Sequence, residues 1–245
     1  VTPARKKPPP PPRIAAAPPT TRTRLSAGER ERQIVEGAIS YFSEVGFSGQ
    51  TRELSKRLGI TQPLLYRYFS SKQALVDRVY QTVFEGRWNP AWVTLLKDRS
   101  LPLRERLIEF YRQYSDATYQ PDWIRIYIHA GLSNPALNQR YIRLISRELL
   151  PVYCRELRHF CGQDTAPAKV ADEEIEFVWS LHGGIFYAAV RNQVYQIRTP
   201  VPLMAQIEIA VDNFLEGARV TYPRLLASLG APAAPVTKRR NAARG

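Results

Sequence analysis

The chain has 245 residues, long enough for one large or two small domains around a sizeable core, and at 44% hydrophobic residues most of it should fold. Its net charge of +13 sits at the ends: residues 1–28 carry +6 and residues 224–245 carry +5, leaving only +2 between them. No membrane span is expected, because the longest apolar run, residues 178–190, is interrupted by His182, Gly183 and Gly184. The N-terminus lacks the apolar stretch of a secretory signal. Cys154 and Cys161 are too few for a disulfide framework, so a reducing, cytoplasmic setting is expected.

Residues 1–25 read as a disordered, basic, proline-rich tail. Ser26 and Glu29 then have the spacing of a capping box. The helix they open places Ile34, Ala38, Phe42 and Val45 on one stripe, and Gly46 can supply the left-handed residue past its end. A short helix over residues 52–58 follows, capped by Thr51, with Leu54 and Leu58 inward and Gly59 stopping it. Ile60-Thr61 forms a turn before a third helix at residues 62–69. Ser71 caps a fourth, through Leu75, Val79 and Val83. Beyond residue 100, prolines near plausible helix starts predict helices at 101–119, 122–131, 135–160, 172–197 and 202–222, with Pro151 kinking the third of these. The last two carry apolar faces so broad that an antiparallel pair doubled into a four-helix dimer interface is the economical arrangement. No stretch alternates with period 2. The prediction is therefore all-α, with about nine helices. The first three helices span 26–72, a larger helical body spans 73–223, and a second disordered basic tail spans 224–245.

Two short helices joined by Gly59-Ile60-Thr61 have the geometry of a helix-turn-helix, held together by Leu54, Leu58, Ile60, Leu65 and Phe69. The second of them presents Gln62, Pro63, Leu64, Tyr66 and Arg67 outward. Gln62 can make two hydrogen bonds to adenine, and Pro63 and Leu64 can touch thymine methyls. Thr51, Tyr66, Tyr68 and Lys72 have the reach to position the helix on phosphates, and Arg52 can reach a guanine edge or a phosphate.

This stretch resembles the DNA-binding domain of the TetR family of regulators. The resemblance rests on Leu58-Gly59-Ile60, Leu65-Tyr66-Arg67-Tyr68-Phe69 and Ser71-Lys72, and the pairs Thr51-Arg52 and Gln62-Pro63 are similar to those of tetracycline repressors. It covers residues 29–80. What it implies is a three-helix head, a fourth helix linking it to the body, and a dimer made by the last two helices. It also implies a repressor that leaves double-stranded operator DNA when a small molecule enters the body. The positions matching the family's DNA contacts are Thr51, Arg52, Gln62, Pro63, Leu64, Tyr66, Tyr68 and Lys72.

In the body, Trp123, Tyr127, His129, Trp179, His182, Tyr187 and Arg191 are candidate effector contacts, although aromatic residues at helical spacing and a histidine on an apolar face also suit a plain core. Cys154, His159 and Cys161 do not converge on a helix, since His159 lies about 140° round from Cys154, so no metal is expected. No cofactor is implied, and the absence of GxSxG, HExxH and a P-loop argues against an enzyme. The rival reading is a nonspecific architectural protein that grips DNA through its basic tails.

Overall fold

In the computed structural model, which describes residues 26–164, 166, 169–197 and 199–230, every regular element is helical. Both tail segments, 1–25 and 231–245, lie outside the described residues. Ser26 opens α1 (Ala27–Val45) through the expected box: its hydroxyl accepts from the Glu29 N–H at 3.2 Å, and the Glu29 carboxylate accepts from the Ser26 N–H at 2.7 Å. Ile34, Ala38 and Phe42 face inward, whereas Val45 is exposed, because the helix ends there and the chain swings away at Gly46 with φ +75°.

The helices α2 (Thr51–Arg57) and α3 (Gln62–Tyr68) are joined across Gly59, whose φ of +62° lies in the left-handed region. Nothing would obstruct a Cβ at Gly59, so only the backbone conformation disfavours a side chain. Gly59→Ala is therefore expected to lower stability by about 1 kcal/mol, measurable by urea unfolding. Thr61 caps α3 by accepting from the Leu64 N–H, and Ser71 caps α4 (Lys72–Tyr80) by accepting from the Ala74 N–H. Leu54, Leu65 and Phe69 close the head, with Leu58 and Ile60 half-buried against it. From Tyr80 the chain runs on as a π-helical turn, Gln81–Glu85, which buries Val83 and Phe84.

The body comprises α5 (Ala91–Lys97), α6 (Leu103–Thr118), α7 (Pro121–Ser133), α8 (Pro135–Glu148), α9 (Leu150–Phe160), α10 (Asp172–Gln193) and α11 (Leu203–Gly230). Three features depart from the sequence-based expectation. Helix α5 was not anticipated; it is short and starts after Asn89-Pro90, but Trp92 and Leu96 bury one face of it. The span 135–160 is two helices rather than one kinked helix. Pro151 has no N–H for the Arg147 carbonyl and its ring crowds that group, so the helix breaks at Leu149. Helix α11 runs through Pro223 to Gly230, so residues 224–230 belong to the body and not to the tail. Buried Tyr222 and the half-buried Leu225 and Leu226 hold those last turns on the core.

Helices α10 and α11 pack against each other, and α7 packs along α1. The α7–α1 contact is the main seam between head and body. No described helix is long and apolar enough to cross a membrane.

Candidate nucleic-acid interface and body cavity

On the head, the exposed face of α3 carries Pro63, Tyr66 and Arg67, flanked by half-buried Gln62, Leu64 and Tyr68. Arg52 is exposed in the first turn of α2, and half-buried Lys72 opens α4. Nearby, Arg57 pairs with Glu44 at 2.6 Å and Arg78 with Glu31 at 2.8 Å. Arg52, Arg67 and Lys72 make no ion pair or hydrogen bond among the described residues. Their charge is available to a polyanion.

Thr51 occupies a different place from the one its sequence position suggests. It is the first residue inside α2, not the cap, which is Gln50, and it is buried with its hydroxyl between the two helices. The Gln62 amide donates to Thr51 Oγ1 at 3.1 Å, and Thr51 Oγ1 and the Tyr66 hydroxyl share a hydrogen bond of 3.0 Å. One N–H of the Gln62 amide is thus fixed to the protein. Its Oε1 and second N–H remain, the acceptor–donor pair that matches the major-groove edge of adenine. Thr51 orients the Gln62 amide instead of reaching outward.

In the body, a small cavity of about 50 Å³ lies among four helices. Helix α7 contributes Trp123 and Tyr127, stacked at 5.0 Å. Helix α10 contributes Trp179, His182 and Phe186, and α6 contributes Tyr114, with Tyr119 just past its end. Tyr141, Ile142 and Ile145 come from α8. The Tyr114 and Tyr141 hydroxyls are hydrogen-bonded to each other at 2.8 Å. Burial pushes the His182 imidazole down to about 4, so it is neutral at physiological pH. It packs among the rings of Tyr114 and Trp179, each 5.2 Å away. Four sequence candidates, Trp123, Tyr127, Trp179 and His182, therefore meet at one cavity.

The other three do not. The His129 ring lies over Gly46, so close that a Cβ there would come within 3.1 Å of Nδ1. Tyr187 is exposed on the outer face of α10. Arg191 hydrogen-bonds Gln206 in a separate groove between α10 and α11. Tyr114, Tyr119, Tyr141, Ile142 and Ile145 were not singled out from sequence, because they come from segments whose apolar spacing reads simply as core. Cys154 is buried and Cys161 half-buried, and the described residues contain no His, Cys and acid cluster suited to a metal.

Known proteins share parts of this geometry. The sequence model for bacterial regulatory proteins of the tetR family matches residues 34–79, the helix-turn-helix and its flanks. The class A tetracycline repressor protein from transposon 1721 of Escherichia coli is 39% identical over 85 residues, 31% of this chain and 39% of that protein. The class G tetracycline repressor protein of Vibrio anguillarum is 29% identical over 85 residues, 31% and 40% of the two chains. The match spans about two-fifths of the length of these relatives. By fold the likeness extends through the body. A tetR-family transcriptional regulator from Streptomyces coelicolor aligns with 84% of this chain and 88% of its own at a TM-score of 0.57 and 16% identity. The TetR family transcriptional regulator PfmR from Thermus thermophilus aligns with 75% and 97% at 0.55 and 18%. Residues 34–79 thus match the tetR family of bacterial regulatory proteins in sequence, and the rest of the described chain is similar to tetR-family regulators in fold alone.

Proposed function

We propose that the protein is a homodimeric, sequence-specific regulator that binds operator DNA through α3 and is released from it, as a repressor, by a small molecule held in the body. The observation that carries this reading is α3: Gln62 is oriented by Thr51, Arg67 lies on the same helix, and Arg52 and Lys72 open the helices before and after it, all three cations without intramolecular partners among the described residues. Such a face both reads a base edge and holds phosphates. On this reading residues 26–72 are the DNA-binding head, the rest of the described chain is the effector and dimer body, and the protein works in the cytoplasm beside its DNA.

A second copy is the expected occupant of the outer face of α10 and α11. Tyr187, Ile209 and Val220 are more than half exposed there. Gly183, Gly184 and Gly217 beside them leave open space where a side chain would stand, which lets two helices approach closely. A two-fold dimer places its heads in successive major grooves, with half-sites about 34–36 Å apart or at a related spacing.

Two connections join the cavity to the head. Phe84, on the π-helical turn that continues α4, packs against Trp123 with ring centroids 5.2 Å apart. Helix α7 carries both Trp123 at the cavity and His129 over Gly46, where α1 turns toward α2. An effector that moves α7 or the end of α4 shifts the head against the body, and it changes operator affinity only by as much as it favours one arrangement over the other.

Selection of bound sequences from random DNA tests the reading. A palindromic site should emerge. Gln62→Ala should relax preference at one position per half-site and cost about 1–3 kcal/mol. Thr51→Val should relax the same position by releasing the amide, and Lys72→Ala should weaken all sites alike. Equal binding of every duplex, collapsing with salt, would instead fit an architectural role for the basic tails.

A further inference from the structure

The groups around the body cavity define what it can hold. None of the side chains lining it carries a formal charge, because the one titratable base, His182, is kept neutral by burial. A carboxylate or ammonium entering it would lose its hydration and find no counter-charge, a heavily penalised transfer. The walls are rings whose faces and edges converge, which suits a flat, apolar body.

Two of the lining side chains carry a buried polar atom without a partner. Trp123 and Tyr119 are both buried, and neither the indole N–H nor the Tyr119 hydroxyl has a partner among the described residues. An indole nitrogen can only donate, so whatever meets it must accept. The Tyr114 and Tyr141 hydroxyls use one of their two protons on each other, which leaves one more. Buried polar groups without partners are uncommon enough to require a reason, and two of those among the described residues belong to side chains that line this cavity.

Size narrows the choice further. A cavity of about 50 Å³ is smaller than the roughly 150 Å³ that encloses a benzene ring, so even one ring must push a wall outward. The α7 wall is the one that carries His129 to the head.

We infer that this cavity binds a small, uncharged aromatic molecule bearing a hydrogen-bond acceptor such as a carbonyl oxygen, received by the Trp123 indole N–H and the Tyr119 hydroxyl. The inference rests on the reading of the body as the effector site, and the test separates the two. The full-length chain is titrated calorimetrically with acetophenone, with ethylbenzene (similar in shape, without the acceptor) and with benzoate (an anion). Acetophenone should bind at least about tenfold more tightly than either, a gap expected from one buried donor–acceptor match. Tyr119→Phe should narrow the gap between acetophenone and ethylbenzene several-fold while leaving ethylbenzene unchanged. Ile145→Phe, which fills the cavity, should abolish binding; Ile145→Ala, which enlarges it, should strengthen acetophenone and serves if the filled variant does not fold. Failure of acetophenone to bind, or benzoate binding as tightly, overturns the inference. If the probes then still compete for a site that Ile145→Phe closes, the effector cavity stands and only the ligand class falls. If binding ignores both substitutions at Ile145, the cavity is not the site and both readings fall.

Discussion

Ile209→Arg is expected to leave the fold intact, convert the proposed dimer to monomer and weaken binding to the selected DNA site by about 10²–10⁴-fold. Ile209 is more than half exposed on α11, so the monomer loses little by the change. In a two-fold interface the same patch is used twice, and each new guanidinium would be buried opposite an apolar surface with no acid introduced to meet it. The groove beside it, lined by Gly184, Ala188 and Ala210 together with Arg191, Thr199 and Gln206, offers no carboxylate to meet a guanidinium. The large effect on DNA comes from geometry, because one head alone forfeits the effective concentration that the first bound head gives the second. Sedimentation gives the oligomeric state and titration of the selected site gives affinity. A dimer that survives Ile209→Arg would move the interface elsewhere.

Glu174→Ala is expected to cost about 3–5 kcal/mol of stability, the range for breaking a buried ion pair by removing one partner. The Glu174 carboxylate, 1% exposed, accepts from Arg158 Nε at 2.7 Å, from the Tyr222 hydroxyl at 2.6 Å and from the Ala171 N–H at 2.9 Å. It ties α9 and α11 to the start of α10. Its removal takes the carboxylate away from the Arg158 guanidinium, which also donates to the Lys169 carbonyl. Burial pushes the Glu174 carboxyl up, yet the hydrogen bonds from Arg158, Tyr222 and Ala171 outweigh it and hold the group below the ordinary value. Glu156, which bridges Arg99 and Arg106, is held down in the same way against the same penalty. A carboxylate depressed in the folded state contributes fully above its unfolded value near pH 4.5, and the contribution is lost as pH falls through the lower folded value. Urea unfolding of the parent should therefore weaken steeply below about pH 4. The Glu174→Ala variant should start lower and show a shallower acid limb. An equally steep limb would mean that Glu174 is not among the groups responsible.

The head was almost wholly legible because its signals are local. The Ser26–Glu29 box, the capping signal at Ser71, and the helix stop at Gly59 before the Ile60-Thr61 turn each act within a few residues of the chain. Thr51 was the exception. A threonine ahead of a short helix looks like a cap, and only the approach of α3 reveals that its hydroxyl faces Gln62 and Tyr66.

The cavity was half legible, and helical angle explains the split. Tyr127 lies about 40° round α7 from Trp123, so both face inward, whereas His129 lies about 240° round and meets the head. On α10, Tyr187 and Arg191 lie about 140° and 180° round from His182 and point to other surfaces. The aromatics of α6 and α8 gave no separate signal, since a ring at core spacing looks the same whether its neighbour is another ring or a void.

By itself the sequence determined the all-helical class, the helix-turn-helix and the side chains exposed on it, and the apolar faces of α10 and α11, because caps, turns and 3.6-residue periodicity are properties of single segments. Only the tertiary structure decided that Thr51 holds Gln62, that four helices enclose unpartnered donors, that α7 spans cavity and head, and that Glu174 binds three helices together. Each of those depends on side chains distant in sequence sharing the same few ångströms, which no local pattern encodes.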